Sequence, residues 1–355
     1  MVKATTLKCM LTQKEKLQSG ILELWLEIGT ACSLKCPYCL NAAGRDRTES
    51  QRGVLGIKEY LSIVDQFATM GGRVIGIPGY GEPFHPANRE TTLAIAEKAR
   101  DFGIRTFIIT GGDLINELLA KRLKALDICL IIKCDSLIPE IQDILVGHSG
   151  YTKRRDRAIR ILMDLGFNTP EKNEDGDPIT RMAFETIILK ENRDSIFQTL
   201  RYCRKNNLGL IINSLFKFGR GQNCCSEVKE AGMLEVLTAL QKIDQKEFGF
   251  NWNIKSPTYF LGKGCCDRFS YHLYIDHLGN ISHCIGSNGH KWYIGNRADL
   301  LSAWNSPEMD KIRNRDGYTG LCIECQNWKA GKCNSCFGRA MKSPCETIGC
   351  WLSKK

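Results

Sequence analysis

Residues 22–39 read LELWLEIGTACSLKCPYC, in which a short apolar stretch runs directly into three closely spaced cysteines. Residues 22–28 have the length and apolar content of a buried strand, and a glycine follows them. Cys32, Cys36 and Cys39 come next, with the spacing C-x3-C-x2-C. Loops that follow the strands of a parallel barrel collect at one end of it, so the three thiols are placed to converge on one metal centre.

The number of cysteine donors indicates the kind of centre. Three thiolates leave one iron of a cluster without a protein donor, and an open coordination position is where a metal site does chemistry. A zinc site completed by a distant residue is the alternative, but zinc sites more often use paired C-x2-C knuckles. The spacing therefore favours an iron–sulfur cluster.

A strand-then-helix order continues through the first two-thirds of the chain. Short segments rich in Ile, Leu and Phe predict strands at residues 22–28, 73–77, 105–109, 128–132, 182–189 and 208–213. Amphipathic segments predict helices at residues 57–70, 89–102, 114–126, 152–165 and 194–207. Eight strands would close a full barrel, so six predict an α/β fold with an open, partial (β/α)6 TIM-like barrel wrapped by helices.

The pattern changes after about residue 235. Residues 271–275 and a turn at 278–280 predict a hairpin, and residues 298–314 predict one helix. The remaining segments are loops dominated by Cys, Gly and Lys, with too little apolar material for a core, so bound metal would have to organise them. We therefore predict an N-terminal extension at 1–20, a barrel domain at 21–235 and a loop-rich, cysteine-rich C-terminal domain at 236–355.

Composition bears on partners and compartment. Cysteine accounts for 18 of 355 residues, and the formal net charge is +10. Nine Lys or Arg against three Asp or Glu fall within residues 311–355, the segment densest in cysteine, where anionic clusters would offset the charge. We therefore predict no nucleic-acid partner. The apolar run at 128–132 is too short to span a bilayer and no secretory signal is visible, so we predict no membrane partner and a cytoplasmic location.

The cysteine motif resembles that of the radical S-adenosylmethionine (SAM) enzymes. Tyr38 fits the aromatic residue that this family places before its third cysteine, and residues 79–83 (GYGEP) resemble its GGEP segment, with a tyrosine in place of one glycine. The resemblance implies that Cys32, Cys36 and Cys39 bind a [4Fe–4S] cluster whose remaining iron chelates SAM. It also implies reductive cleavage of SAM to methionine and a 5′-deoxyadenosyl radical, which removes a hydrogen atom from the substrate.

The same resemblance implies further contacts with SAM. Gly81 allows a close backbone approach, and Glu82 accepts a hydrogen bond from the ammonium group. Asp135, after the fourth predicted strand, lies where the family contacts the ribose, and Arg154 lies where an arginine often binds the SAM carboxylate. Together with Tyr38, these are the predicted cofactor-binding residues.

The C-terminal cysteines resemble the SPASM extension of radical SAM enzymes, which holds auxiliary iron–sulfur clusters. Cys266-x12-Gly279-x4-Cys284 fits the first half of that extension, whereas the second half departs from the usual spacing, with spacers of two, seven and two. Two zinc ribbons, which share the C-x2-C spacing, are the alternative.

Family order implies one or two auxiliary clusters. The first would take Cys266, Cys284 and Cys336, with an upstream cysteine that is Cys224, Cys225 or Cys265. The second would take Cys322, Cys325 and Cys333, with Cys345 or Cys350 as the fourth ligand. Three histidines around the predicted hairpin could line the substrate side of a cluster: His272, His277 and His283. Three cysteines are predicted to be structural: Cys9, Cys129 and Cys203.

The resemblance implies a radical SAM oxidoreductase but leaves its substrate open. One hypothesis is the oxidation or crosslinking of a ribosomally made peptide or protein, the task most common for this extension. The other is a dehydrogenase or epimerase acting on a small polar metabolite, such as an aminosugar in natural-product biosynthesis. Either enzyme would draw electrons from a donor such as flavodoxin or ferredoxin. A hypothesis from a different class is a non-catalytic zinc or nucleic-acid-binding protein.

Overall fold

The structure is a computed structural model, and it describes residues 6–44, 53–176, 178–216, 218–228, 230–250, 258–260, 268–285, 294–296, 299–314, 316 and 326–330. In chain order, the strands are β1 Thr6–Leu7, β2 Glu23–Leu26, β3 Val74–Ile77, β4 Arg105–Thr110, β5 Cys129–Lys133, β6 Glu171–Lys172, β7 Pro178–Thr180, β8 Met182–Ile188, β9 Gly209–Ser214, β10 Thr258–Phe260, β11 His272–Ile275, β12 Asn280–Ser282 and β13 Gly295–Asn296. The α-helices are α1 Gln13–Lys16, α2 Ile57–Thr69, α3 Arg89–Asp101, α4 Glu117–Ala125, α5 Pro139–Val146, α6 Tyr151–Asp164, α7 Ile196–Lys205, α8 Glu230–Ile243, α9 Leu300–Trp304, α10 Pro307–Asn314 and α11 Gln326–Lys329. Within these ranges, no helix is long and apolar enough to cross a membrane.

One sheet of ten strands forms the centre of the fold, in the order β10-β9-β8-β5-β4-β3-β2-β11-β12-β13. The six strands from β9 to β2 are all parallel, and each corresponds to a predicted strand. At one end β10 is antiparallel to β9, and at the other end β11 is parallel to β2. The predicted α/β fold with a partial barrel of six parallel strands is confirmed.

Alternate side chains of β2 lie on opposite faces of the sheet. Leu24 and Leu26 belong to the large apolar cluster that includes the buried faces of α2 and α3. Trp25 belongs to a separate cluster on the other face and meets Phe107 edge to face, with ring centroids 5.6 Å apart. This alternation separates the barrel interior from the layer beneath the helices.

Four buried acidic side chains follow successive barrel strands. They come after β2, β3, β4 and β5 respectively, and they are Glu27, Glu82, Asp113 and Asp135. Parallel strands end at the same edge of a sheet, so the four carboxyl groups collect at the carboxyl end of the barrel. The fold thus directs polar chemistry to the end from which the cysteine loop also emerges.

The single helix predicted at residues 298–314 is wrong. The chain forms α9 and α10, which are separated at Asn305 and Ser306. Pro307 begins α10, because proline lacks the N–H that a helix interior needs and disfavours a helical residue before it. The hydroxyl of Ser306 accepts a hydrogen bond from Met309 N at 3.2 Å and so starts the second helix. The hairpin predicted before these helices is confirmed by the antiparallel pairing of β11 with β12.

The chain also contains ordered segments that the sequence patterns do not predict. Helix α5 is one, since its eight residues are too few for a clear periodicity. The segment 169–178, whose polar composition is typical of an exposed loop, contains β6 and the first residue of β7, and β7 pairs with β1. Glu15 of α1 forms an ion pair with Arg105 at 2.7 Å, which fastens the N-terminal segment to β4. The predicted domain boundaries at residues 20 and 235 stay predictions.

Candidate active site

The cysteine loop, residues 29–44, follows β2 at the carboxyl end of the barrel. Its three thiols are half-buried. Leu34 N lies 3.4 Å from Cys32 Sγ, and Ala43 N lies 3.4 Å from Cys39 Sγ, so two of the sulfur atoms accept backbone hydrogen bonds. N–H groups directed at sulfur favour the thiolate form that metals bind.

Burial favours the protonated form of two of these thiols, those of Cys32 and Cys36, when no metal is bound. It raises the pKa of Cys32 and of Cys36 to about 12. Iron would therefore have to displace protons on binding, as it does at any thiolate site. Across the described ranges, no three Cys, His, Asp or Glu side chains converge as a single metal ion requires. A donor set of three thiols is the chemistry that an iron–sulfur cluster uses.

Arg220, which is distant from the cysteine loop in sequence, forms hydrogen bonds to the backbone of that loop. It lies in a 3-10 turn, Gly219–Asn223, a few residues after β9. Its Nε donates to Cys36 O at 2.8 Å, its Nη1 donates to Ala43 O at 2.6 Å, and its backbone N–H donates to Cys39 O at 2.9 Å. Hydrogen bonds from a guanidinium are stronger than neutral ones, so this residue fixes the backbone on which the cysteines stand.

Tyr38 ties the same loop to the end of β5. Its hydroxyl donates to Asp135 Oδ2 in a fully buried contact. Asp135 Oδ1 accepts from Ile187 N at 2.9 Å and pairs with Lys133 Nζ at 3.1 Å. Both carboxylate oxygens are therefore engaged by protein groups. The contact of Asp135 with the SAM ribose stays a prediction, and the observed bonds give it a role in positioning the loop.

The GYGEP segment, residues 79–83, packs directly against the start of the cysteine loop. Gly81 N donates to Gly29 O at 3.1 Å, and Glu82 N donates to Ala31 O at 2.8 Å. A Cβ atom built on Gly81 would lie 2.3 Å from Ala31 O, a distance that real side chains do not reach. Glycine at this position is therefore required by the close approach of the two backbones.

Asn88 fastens these two loops together, a role that sequence patterns do not reveal. Its Nδ2 donates to Gly29 O at 3.2 Å, to Ala31 O at 3.0 Å and to Glu82 O at 2.9 Å. The side chain is buried at the start of α3. An amide NH2 carries two N–H groups, so this one amide is shared among three carbonyls from both loops.

The Glu82 carboxylate is held by three donors. Thr110 Oγ1 lies 2.5 Å from Oε1 and Phe84 N lies 3.1 Å from it, while Gly111 N lies 2.7 Å from Oε2. Burial raises the pKa of Glu82 to about 7, although these hydrogen bonds oppose the shift. A cationic ligand group nearby would restore its negative charge at neutral pH.

Arg154 and Asp113 form an ion pair beside this carboxylate. Arg154 Nη2 lies 3.3 Å from Asp113 Oδ2, and the arginine side chain is half-exposed. The neighbouring Arg155 is buried and donates to Ser136 O, Gln142 and Asp156, which gives it a structural role. Of these two adjacent arginines, only Arg154 can meet a ligand at the cysteine loop.

Glu27 occupies a second polar cluster next to the C-terminal hairpin. Its side chain is fully buried, and its Oε1 accepts from Asn41 at 3.1 Å. Tyr274 of β11 also hydrogen-bonds to it, whereas Oε2 has no partner among the described residues. Close by, the ring of Tyr80 in the GYGEP segment lies 4.3 Å from the ring of His277, measured between centroids. These contacts join the barrel to the hairpin.

We expect Glu27 to make stability depend on pH. Burial raises the pKa of its carboxyl from 4.5 to about 8, so the folded protein retains a proton that the unfolded chain has released. Stability must then fall as the pH rises from about 4.5 to about 8, by up to ~1.4 kcal/mol per pH unit. Glu27→Gln, which is neutral throughout, should remove the share of this slope that Glu27 contributes, and urea unfolding at several pH values would measure the difference from the wild type.

An exposed glutamate provides the control for this measurement. Glu117→Gln, at the start of α4, should give the same pH slope as the wild type, because that side chain faces solvent. Parallel pH profiles for wild type and Glu27→Gln would contradict the prediction, since they would show that Glu27 is charged in the folded protein.

The predicted auxiliary ligands are described only in part. Cys284 is half-buried just after β12, Cys224 is buried against Tyr38 and Leu215, and Cys225 is exposed. The other predicted ligands lie outside the described residues: Cys265, Cys266, Cys322, Cys325, Cys333, Cys336, Cys345 and Cys350. Cys9, Cys129 and Cys203 are buried, as expected for structural thiols.

This geometry is that of a known family. Residues 26–203 match the model of the radical SAM superfamily, and residues 265–336 match that of the SPASM iron–sulfur cluster-binding domain. The chain therefore belongs to the radical SAM superfamily, and it carries a SPASM domain. Its cofactors are a [4Fe–4S] cluster, SAM and auxiliary iron–sulfur clusters.

Individual relatives are distant. The chain is 24% identical over 195 residues to the tungsten-containing aldehyde ferredoxin oxidoreductase cofactor-modifying protein of Pyrococcus furiosus, a match that covers 53% of this chain but only about half (49%) of that protein. It is 22% identical over 328 residues to the mycofactocin maturase MftC of Mycolicibacterium smegmatis, covering 88% of this chain and 77% of that one.

Solved structures of the same fold are also similar. SuiB of Streptococcus suis bound to SAM has a TM-score of 0.70 and 17% sequence identity, with 97% of this chain and 79% of that chain covered. SuiB bound to the precursor peptide SuiA gives the same TM-score and identity, with 97% and 78% covered. At this identity the likeness concerns the fold.

Proposed function

We propose that this protein oxidises or crosslinks a ribosomally made peptide or protein by radical SAM chemistry. The observation that carries the proposal is the three-thiol loop at the carboxyl end of the barrel, with Glu82 and Arg154 beside it. When bound there, the cluster supplies the electron that cleaves SAM to methionine and a 5′-deoxyadenosyl radical, which removes a hydrogen atom from the substrate.

The chain's own residues hold and orient these groups. Cys32, Cys36 and Cys39 would supply the three thiolates, on a backbone that Arg220 and Tyr38 fix through loops after β9 and β5. Such supporting hydrogen bonds keep ligands in place and tune the metal. The close packing of residues 79–83 on the cysteine loop excludes water from one side of the site.

The α-amino and α-carboxylate groups of SAM have complementary charges nearby. The backbone of Gly81 and the carboxylate of Glu82 would face the ammonium, and the half-exposed Arg154 would face the carboxylate. The auxiliary clusters would take Cys284 together with the cysteines outside the described residues. Bound there, such clusters would supply an electron acceptor for an oxidation.

A peptide substrate is favoured by the relatives. One curated relative that aligns with most of this chain is a maturase, and a solved structure of the same fold holds a precursor peptide. The hairpin β11–β12 packs against β2, so residues of the C-terminal segment border the end of the barrel where the substrate would lie. We place the reaction in the cytoplasm, with a flavodoxin or ferredoxin as electron donor.

The experiment begins with anaerobic reconstitution and iron counting. About four irons per chain indicate only the cluster at the cysteine loop. About eight indicate one auxiliary cluster in addition, and about twelve indicate two auxiliary clusters. Reduction with dithionite in the presence of SAM should then yield 5′-deoxyadenosine, and a peptide encoded beside the gene should lose hydrogen atoms in pairs by mass spectrometry. Formation of 5′-deoxyadenosine with an unchanged peptide would contradict the peptide proposal, above all if an aminosugar were consumed instead.

A further inference from the structure

The outer face of α6 carries a row of positive charges. Lys153, Arg157 and Arg160 follow one another at i, i+4 and i+7, which places them on one side of the helix, and all three are exposed. In the part of the chain that the structure describes, the ion pairs of α6 are those of the adjacent Arg154 and Arg155, and none involves these three side chains. We call Lys153, Arg157 and Arg160 the basic row.

This charge pattern does not stabilise the helix. Like charges one turn apart repel each other, and the N-terminus of a helix favours acidic side chains over basic ones. The first four residues of α6 include Lys153 and Arg154, and none of the four is acidic. A sequence that departs from such local preferences commonly does so at a functional site. The basic row therefore indicates a surface that is kept for a partner.

Helix α6 begins directly against the cysteine loop. Its first residue, Tyr151, packs with Leu34 of that loop in a small apolar cluster, against which Cys32 and Cys36 also pack. The loop has an exposed side as well, formed by residues that lie between the cysteines: Ser33, Lys35 and Pro37. The basic row thus starts two residues after a side chain that touches the cluster-binding loop.

Lys35 brings a further positive charge to the same place. Its N–H donates to Val146 O at 2.9 Å, at the end of α5. A Cβ atom built on Gly147, in the turn between α5 and α6, would lie 3.1 Å from Lys35 Cβ, so the lysine stands beside the turn that leads into the basic row. In the last turn of α5, Ile144 is 71% exposed. An exposed apolar side chain among polar ones is typical of a protein interface.

We infer that Lys35 and the basic row form the docking surface for an acidic electron-carrier protein, of the flavodoxin or ferredoxin kind. The inference rests on the proposed function, which requires an electron from outside the chain. One electron leaves the reduced carrier, which is thereby oxidised, and reduces the cluster at the cysteine loop, and no covalent bond forms or breaks in this step. Complementary charge speeds the encounter of such short-lived partners.

The position of the surface favours this partner over the peptide substrate. A peptide must reach the end of the barrel where the strands stop, whereas α6 lies on the outer wall. From the outer wall, a docked carrier has only the cysteine loop between itself and the cluster. We therefore expect electrons to enter from the side of α6 and the substrate to enter at the carboxyl end of the strands.

The test compares two reductants on the reconstituted holoenzyme. Reduced flavodoxin has to dock, whereas dithionite is a small reductant that needs no docking surface. In Lys153→Glu/Arg157→Glu, with flavodoxin limiting and at low salt, we expect 5′-deoxyadenosine formation to slow at least about tenfold. The difference from the wild type should shrink at about 0.5 M salt, because salt screens exposed charges. With dithionite the rate should stay within about twofold of the wild type.

A second double variant controls for the change in net charge. Lys242→Glu/Lys246→Glu reverses two exposed lysines at the same spacing, in α8 and the helical turn that follows it, and should keep the wild-type rate with flavodoxin. A direct measurement complements the rates. A carbodiimide, which joins an amine to a carboxylate without a spacer, should link Lys35 or Lys153 to flavodoxin, as peptide mass spectrometry would show.

Equal flavodoxin-driven rates for the two double variants would overturn the inference. A loss with dithionite as large as the loss with flavodoxin would also overturn it, because the substitutions would then have damaged the site itself. A raised KM for the peptide, with electron delivery unchanged, would assign the surface to the substrate instead. Failure of the proposed function looks different, because the wild-type holoenzyme would then carry its clusters and release no 5′-deoxyadenosine even with dithionite.

Discussion

Cys36→Ala is expected to lower SAM cleavage to background, a loss of at least ~10³-fold, because the electron that breaks the sulfonium comes from the cluster. The substitution removes one of three thiolates, while the backbone carbonyl of Cys36 keeps its hydrogen bond from Arg220. We expect the iron content to fall by about four per chain, with the auxiliary clusters retained. Iron analysis, the absorbance near 400 nm and the yield of 5′-deoxyadenosine check the result.

A buried cysteine outside the loop provides the control. Cys203 lies within α7 with no exposed surface, so Cys203→Ala should cost about 1 kcal/mol of stability through a small cavity. It should keep all of its iron and the wild-type rate of SAM cleavage. If Cys36→Ala kept both its iron and its activity, the cysteine loop would not be the binding site of the cluster that cleaves SAM.

Much of the fold can be predicted because each barrel strand is a continuous apolar run that stops at a polar residue or a glycine. All six predicted strands match an observed strand to within two residues at each end, as 105–109 does with Arg105–Thr110. Prediction fails where local signals are weak or compete. Helix α5 is too short to show a periodicity, and Pro307 divides a stretch whose apolar spacing alone indicates one helix.

The candidate site can be predicted only where its residues are close in sequence. The spacing of the cysteines and the GYGEP segment are visible as motifs, and the structure brings these two loops together. Arg220 is 184 residues from Cys36, and a lone arginine after a strand carries no signal of such a contact. Asn88 and Asp113 are likewise ordinary polar residues in loops. Their importance follows from the barrel, which gathers the ends of its strands at one edge.

The support for the cysteine loop therefore comes from several strands at once. Residues after β9, β5 and β3 each donate to it or accept from it, through Arg220, Asp135 and residues 81–82. A loop that is bonded from three directions loses little further freedom when a cluster binds, which favours assembly. The same reasoning predicts that disrupting any one of these three sets of hydrogen bonds should displace all three thiols at once.

Gly81→Ala tests that prediction most directly. The added Cβ would lie 2.3 Å from Ala31 O and 2.6 Å from Thr30 C. Both are backbone atoms, so a change of side-chain rotamer cannot relieve the clash. The two loops must therefore separate. We expect the unfolding free energy to fall by about 3 kcal/mol and the cluster at the cysteine loop to be lost. Denaturant unfolding of the apoprotein and iron analysis after reconstitution measure the two effects.

Gly56→Ala is the matched control for this substitution, because φ at Gly56 is −81° and an added Cβ would meet only Glu59 Oε2, at 3.7 Å. Its stability should stay within about 1 kcal/mol of the wild type, with full iron content. A Gly81→Ala protein that lost stability but assembled its cluster normally would contradict the coupling of the two loops. Because the atoms nearest to the added Cβ belong to the backbone of Thr30 and Ala31, which precedes Cys32, loss of iron in this variant would show that the thiols are placed by the loop contacts and not by the cluster itself.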